Sequence, residues 1–415
     1  MIHSWLSAVF SQQPRASQVL IGRRAPGEHL ATALTAIEAE NPAAFYAINI
    51  ALNNANEIMA LATWTESRFK IAIAQTSDTA VLDGDASTQQ VTTETIDTAA
   101  AGDWVLTVFN AWTGALVGTA TYNAAGGAGP QGIATGLRAA YDGVAELAAI
   151  TEPAAGVGAA VELTFDGLGN GYIVQLTPPA GGAATQTNAA QVQNVLELGS
   201  ALGFDRTAVV YHNNDTENLD GSWTSRCLSF NLDRQHSIWA YHELKGIAGT
   251  RLSDSQKSTV LGDNGNYYSP VTYTSGLEED AFTFKGTMLS GRSIDNTTTQ
   301  DLTQARMEEA VVAAFKQASS VNSKIGMNDD GIQLLGGTVL AELDKLVRAS
   351  HYADGAVSSI TGRRTPYIDT PLVSSLSASQ RQSRQVTMSG EAVFDGAIES
   401  VGSASVVGID LVVSF

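Results

Sequence analysis

Lys257-Ser258-Thr259 is the residue order that closes a phosphate-binding loop, in which a glycine-rich turn lets backbone N–H groups wrap an anion while the lysine reaches its outer oxygens. It lies within "KGIAGTRLSDSQKSTVLGDNGNYYSPV", Lys245 to Val271. The two glycines that such a loop requires are replaced here by Arg251 and Gln256, so the backbone cannot close around a phosphate. The stretch reads instead as a helix, SDSQKSTVL, ended by the Gly-Asp-Asn-Gly turn. GLGNG at Gly167 to Gly171 resembles a dinucleotide loop in composition only, because it joins two alternating strands and no helix follows, so it predicts a turn.

Other chemistry-bearing types are equally dispersed. Asp215, Glu217 and Asp220, and Asp329 with Asp330, lack the alternating ligand spacing and closing glutamate of a calcium loop. The histidines are His3, His29, His212, His236, His242 and His351, and His236 and His242 form no HExxH pair. There is no GxSxG elbow and no Cys-centred nucleophile motif. Sequence alone therefore assigns no catalytic, cofactor-binding or metal-ligating residue. Two Gly-Arg-Arg-x-Pro repeats, Gly22 to Pro26 and Gly362 to Pro366, bring Arg23, Arg24, Arg363 and Arg364 to attention, with Arg381 and Arg384 close behind. In an acidic chain these six arginines are candidate contacts with an acidic neighbour, against a plainer reading as solvated charge at strand ends. Trp64, Trp223 and Trp239 read as core or interface packing.

The 415 residues are enough for two or three domains and a sizeable core. With 44% hydrophobic residues, 16% charged residues and a net charge of −19, the composition argues against nucleic acid as partner, since phosphate binding needs a cationic face. Cys227 is the sole cysteine, which rules out an intrachain disulfide and suits synthesis in a reducing cytoplasm. No apolar run is long enough for a membrane span, and the start MIHSWLSAVFSQQPR lacks the basic-then-apolar order of a signal peptide.

Stepping along the chain, SQVLIGRR, AFYAINIAL and FKIAIAQTSD predict strands separated by the helices PGEHLATALTAIEAEN, opened by proline, and NNANEIMALATWTESR. This βαβαβ order predicts a mostly parallel sheet. It pauses near Val81 and resumes near Ala190 with the helix QVQNVLELGSALG, the strand RTAVVYH, and SIWAYHELKG as a strand or helix edge. Between them, Leu82 to Ala190 carries ten carboxylates against the single base Arg138, and reads as DWVLTVFN, ALVGTATYN, a helix, then VELTF and YIVQL as a hairpin across DGLGNG. That order predicts an inserted ββαββ domain whose ends lie close together. Two long helices follow Thr297, the first capped by Thr298 with Asp301 and presenting Met307, Ala310, Val311, Ala314 and Phe315, the second presenting Ile332, Leu335, Val339, Leu343 and Leu346.

The expected organisation is thus residues 1–81 as the first part of a core, 82–190 as an acidic insertion, 191–350 as the second part of the core, and 351–415 as a β region. In SVVGIDLVVSF, Val407, Ile409, Leu411, Val413 and Phe415 alternate along one side of an extended strand, which must pair with its own sheet or with a neighbour's edge.

The segments FYAINIAL, FKIAIAQTSD, RTAVVYHNND, the Lys245–Val271 stretch and LTQARMEEAVVAAF together resemble the sheath proteins of contractile phage tails, roughly over Ala8–Ala80 and Ala190–Phe415. The resemblance implies an α/β and α+β sheath core, with a mostly parallel or mixed sheet flanked by helices and an extended C-terminal β arm; the insertion is similar to a small ββαββ decoration domain of phage tail proteins. It also implies a structural subunit without enzymatic activity or cofactor, stacked as hexameric rings around a tail tube and shortening when the baseplate fires. Its partners would be copies of itself, the tube protein, and baseplate and terminator proteins, with neither nucleic acid nor membrane insertion, in a virion assembled in the host cytoplasm. By the same resemblance Lys245–Val271 is a signature of the core fold, with Tyr267 and Tyr268 packing beside a strand, and Val407 to Phe415 is an inter-subunit strand. Relatives carry more chain ahead of the segment matched by AVFSQQPRASQVLIGRR, so the partner strand is expected from elsewhere, through a different linkage, or in a specialised sheath-like component. The competing expectations are another tail or baseplate component, and an α/β enzyme such as a carbohydrate-active hydrolase with paired carboxylates.

Overall fold

A computed structural model describes residues 2–235, 238–271, 280–396 and 408–413, which divide into two compact units. The first comprises Met1–Ser11, Ser17–Thr224 and Glu243–Gly291, the second Gln12–Ala16, Ser225–His242 and Arg292–Phe415.

The first unit begins with α1 (Ile2–Ser11), α2 (Leu30–Glu40), β1 (Ala47–Ile48), α3 (Ala55–Glu66), β2 (Ile71–Thr76) and α4 (Ala80–Asp83). The alternation expected from sequence is present but shorter. SQVLIGRR forms no strand: Leu20 and Ile21 remain 61% and 54% exposed, and no ladder partner lies beside them. The helix expected to open at Pro26 opens instead at Leu30, because Nδ1 of His29 accepts the N–H of Ala31 at 3.2 Å and caps it. AFYAINIAL narrows to two strand residues, since Nδ2 of Asn49 donates to the Ile73 carbonyl at 2.8 Å and takes the place of the next ladder bond.

The chain then forms β3 (Val91–Thr98), β4 (Gly102–Asn110), β5 (Leu116–Ala124), α5 (Pro130–Asp142), α6 (Ala145–Ala148), β6 (Ala160–Thr164), β7 (Tyr172–Thr177) and β8 (Ala183–Asn188). The expected ββαββ series is all here, extended by a strand at each end. These strands make two antiparallel sheets, β6-β3-β8 and β5-β4-β7, around a core that includes Trp104, Leu106, Val108, Leu137, Tyr141, Leu163 and Phe165. The VELTF–YIVQL hairpin does not form, because β6 pairs with β3 and β7 with β4. β6 buries Val161 and Leu163, and β7 buries Val174 with Leu176 half-buried, so the alternation seen in the sequence is present but on two different sheets. Their connection is drawn aside: the Gly169 N–H donates to the Thr88 carbonyl, and Gly169 sits at φ +69° against Leu198. At the open end of the insertion Thr92 pairs with Asn188, so its entry and exit are neighbours.

Next come α7 (Val195–Leu202), β9 (Thr207–Tyr211), α8 (Leu219–Leu228), α9 (Asp254–Gly262), β10 (Asn266–Pro270) and β11 (Ala281–Phe284). The described part of SIWAYHELKG contains neither strand nor helix; Trp239, Ala240 and Leu244 are buried there around Tyr241 at φ 60°. The main sheet has the order β1-β2-β9-β10-β11, parallel through its first four strands and closed by antiparallel β11. Both faces of β2 and β9 are buried, which is why IAIAQT and TAVVY lack a clean polar alternation. Ile58, Leu61, Trp64, Val81, Leu196 and Val260 pack the helices into the same core.

The second unit contains α10 (Ile294–Ser320), α11 (Asp329–Arg348), β12 (Tyr367–Asp369), α12 (Ala378–Ser383), β13 (Met388–Val393) and β14 (Gly408–Val413). α10 starts after Ser293, a turn earlier than the expected Thr298–Asp301 cap; both of those residues are buried inside the helix. On α11, Asn328 supplies the cap, and Ile332, Leu335, Val339, Leu343 and Leu346 are buried as their spacing requires. The two helices share a core with Met388 and Ala392 of β13, in the three-stranded sheet β12-β13-β14, and with Tyr352 and Phe394, which form an isolated bridge of their own. The chain is therefore a mixed α/β protein, with a mostly parallel sheet flanked by helices and separate antiparallel sheets.

Candidate functional site

Lys245–Val271 is built as core rather than as an anion cradle. Ser253 and Gln256 form a reciprocal capping box on α9, so the Ser and Gln that stand where a phosphate loop would bend are used to start a helix. Nζ of Lys257 lies 3.6 Å from Asp254 on the same helix. Tyr267 stacks on Phe284 with ring centroids 4.8 Å apart, and the Tyr268 hydroxyl accepts the Leu244 N–H at 3.2 Å; both tyrosines belong to β10 itself. Buried Asn266 joins neighbouring segments: its Nδ2 donates to the carbonyls of Val209 at 3.1 Å and Thr287 at 2.8 Å, and its Oδ1 accepts the Thr287 N–H at 2.8 Å.

Of the acidic and imidazole groups singled out from sequence, Glu217 meets His212, and the other members of the acidic trio stand apart from that pair. Glu217 accepts from the Ala248 N–H at 2.8 Å and lies 3.2 Å from Nε2 of His212, whose Nδ1 is 2.8 Å from Thr250 Oγ1. Burial lowers the His212 pKa, and Glu217 opposes that shift. Asp215 is exposed, whereas Asp220 is buried on α8 with one oxygen on the Gly221 N–H and the other without a partner. Burial with no cation beside it pushes Asp220 up to about 7. Asp329 accepts the Val373 N–H at 2.7 Å. His242 faces the Ile238 carbonyl, and burial lowers its pKa; His236 lies outside the described residues. Burial also raises the Cys227 thiol well above its ordinary value. Among the described residues no cluster of three His, Cys, Asp or Glu side chains is placed to hold a metal ion, and no helix is long and apolar enough to cross a membrane.

What remains of the expected site is main chain and arginine. β14 pairs antiparallel with β13 over its whole length, from Val413 opposite Met388 through Leu411 opposite Gly390 and Ile409 opposite Ala392 to Gly408 opposite Val393. β14 is the last strand of its sheet, so one of its edges carries no partner strand among the described residues. Val407 and Phe415 lie outside those residues. The arginines divide by environment. Arg24 grips both Glu57 oxygens, at 2.9 and 2.6 Å, and is half-buried. Arg363 holds Asp369 at 2.7 Å and stacks over Tyr367, 3.6 Å from the ring centre. Arg23, Arg364, Arg381 and Arg384 are exposed and make no side-chain ion pair among the described residues.

Spacing gave no signal for the polar seam at the start of α10. There Thr299 Oγ1 meets His351 Nδ1 at 2.9 Å, His351 Nε2 meets the Leu232 carbonyl at 2.6 Å, and Thr303 Oγ1 meets the Tyr352 hydroxyl at 2.7 Å. The run TTTQDLT was the available hint, because threonines so dense in a helix need partners for their hydroxyls.

No known protein family matches the sequence, and neither does any curated protein. Among solved structures, the chain is similar to a sheath tail protein from Listeria innocua at 9% identity and a TM-score of 0.35, over 93% of this chain and 99% of that one, a likeness too loose to assign a role.

Proposed function

We propose that this chain is a structural subunit of a contractile phage tail sheath, polymerising as hexameric rings around a tail tube and shortening to drive the tube through the host envelope. The carrying observation is β14, a strand at the end of this sequence joined to β13 by an unbroken antiparallel register. A strand held through main-chain pairing is exchangeable, since the equivalent strand of a second copy offers identical groups to the same edge. The alternation of Val407, Ile409, Leu411, Val413 and Phe415 and the resemblance of the core segments support the same reading. Each ladder bond contributes on the order of 1 kcal/mol net, so a strand of this length ties two subunits by several.

In this reading the subunits turn outward nearly as rigid bodies, with the strand links as hinges and exposed arginines such as Arg364, Arg381 and Arg384 meeting the tube or a neighbour. New burial drives the change: at about 25 cal/mol per Å², some 400 Å² of apolar contact amounts to roughly 10 kcal/mol gross before association and ordering costs. The tube, baseplate and terminator proteins are the further partners, and the virion tail is the location.

Negative-stain electron microscopy of the purified protein at modest salt is expected to show hollow tubes or stacked six-fold rings. Removing residues 406–415 is expected to leave a folded monomer that no longer polymerises. Polymers unchanged by that truncation would remove the strand from the mechanism, and uniform small particles from the intact chain would count against a sheath.

A further inference from the structure

The two sheets of the insertion have four outer edges, and those of β6 and β7 are closed by hydrogen bonds. On β6, Ala155 exchanges both main-chain hydrogen bonds with Glu162, and the Glu152 N–H donates to Thr164. α5 and α6 pack on the face of β5 that carries Gly118, Ala120 and Ala124, where a Cβ on Gly118 would meet Leu147 at 2.8 Å. β7 is sealed by side chains: Gln90 takes both the N–H and the carbonyl of Tyr172, at 2.7 and 2.8 Å, and Gln186 donates to the Val174 carbonyl at 2.8 Å.

β8 has no such cover. The Ala189 N–H donates to Val91, which sets the ladder parity; Thr187 and Thr185 then bond inward to β3, while Ala184, Gln186 and Asn188 direct their main-chain N–H and C=O groups to the outer side. No main-chain or side-chain group among the described residues meets them there. The strand AATQTN is exposed along nearly all its length and contains no lysine or proline, the usual defences of a free edge. Its setting is strongly acidic. Asp97 beside it accepts from Thr185 Oγ1 at 2.6 Å, and of the ten carboxylates between Leu82 and Ala190 all but Glu94 and Glu162 are exposed, against the one base Arg138. Arg138 is itself turned onto the Gly156 and Ala160 carbonyls.

We propose that the outer edge of β8 is a docking site for an extended, positively charged segment of a partner protein, which adds as a fourth strand to β6-β3-β8. Main-chain pairing with Ala184, Gln186 and Asn188 supplies the register, and the surrounding carboxylates select lysine- and arginine-bearing guests over acidic ones. A second copy of the insertion is a poor guest, because two such acidic surfaces repel. This site is separate from the β14 linkage and stands whether or not the chain forms a sheath.

The test titrates the full chain with a fluorescent peptide of alternating lysine and threonine at low salt, with a glutamate–threonine peptide as control. Saturable binding of the basic peptide alone is expected, weakened at least tenfold by Asn188→Pro or Ala184→Pro. Proline at those positions removes an outward N–H and leaves the inward ladder to β3 in place. Thr187→Lys, which keeps every main-chain group, is expected to weaken binding at least threefold and answers the case in which a proline variant does not fold. Absence of binding, equal binding of the acidic peptide, or binding undiminished in folded proline variants would overturn the proposal.

Discussion

Asp220 shows how one side chain couples the fold to pH. Its carboxyl is buried on α8 with one oxygen unpartnered, and it titrates near 7 rather than near 4. The folded chain therefore holds this proton more tightly than the unfolded chain does. Stability on this account is fullest below the unfolded value of about 4 and is lost as pH rises toward 7, by up to on the order of 4 kcal/mol. Asp220→Asn, which cannot ionise, is expected to raise the melting temperature relative to the parent by more at pH 8 than at pH 5. Calorimetry at the two pH values checks this, and an equal difference at both would mean that Asp220 stays charged in the fold. None of this was readable from sequence, where Asp220 stood in an apparent acidic trio with Asp215 and Glu217. Only the burial of one member and the exposure of another separates them.

Elements were legible where one face is buried and the period is long. α11 places its five apolar residues in the core as spaced, and IAIAQT and TAVVY are central strands because their continuous apolar runs suit a sheet covered on both faces. Legibility failed where pairing partners decide. SQVLIGRR has strand composition but no neighbour, and VELTF and YIVQL alternate correctly yet enter different sheets, which periodicity alone does not report. Gly169 marks the reason. A Cβ there would lie 2.4 Å from Leu198 Cδ2, and the backbone is at φ +69°, so the β6–β7 connection rests directly on α7. Gly169→Ala is expected to destabilise the protein by roughly 1–3 kcal/mol, through strain and overpacking together. Denaturant melts read this directly, and a change below a few tenths would show that α7 yields freely to the insertion.

For the whole molecule, charge is distributed unevenly: the insertion is acidic, while Arg364, Arg381 and Arg384 stand exposed in the second unit. If these arginines meet a neighbour or the tube, reversing all three to glutamate is expected to reduce assembly at least tenfold. Monomer stability should hardly change, since exposed positions of this kind contribute within about 0.5 kcal/mol each. Sedimentation and thermal melts together separate the outcomes, and full assembly by the triple variant would return the arginines to the role of solvated charge. A different consequence follows from the pairing of Thr92 with Asn188. β2 and β9 are ladder neighbours, from Ala72 opposite Thr207 to Thr76 opposite Tyr211, although the entire insertion lies between them in sequence. Closing so long a loop in an unstructured chain costs on the order of 4 kcal/mol in entropy. An insertion that has already folded brings its own ends together and removes most of that cost. If the insertion condenses first, it hands β2 to β9 across a short gap.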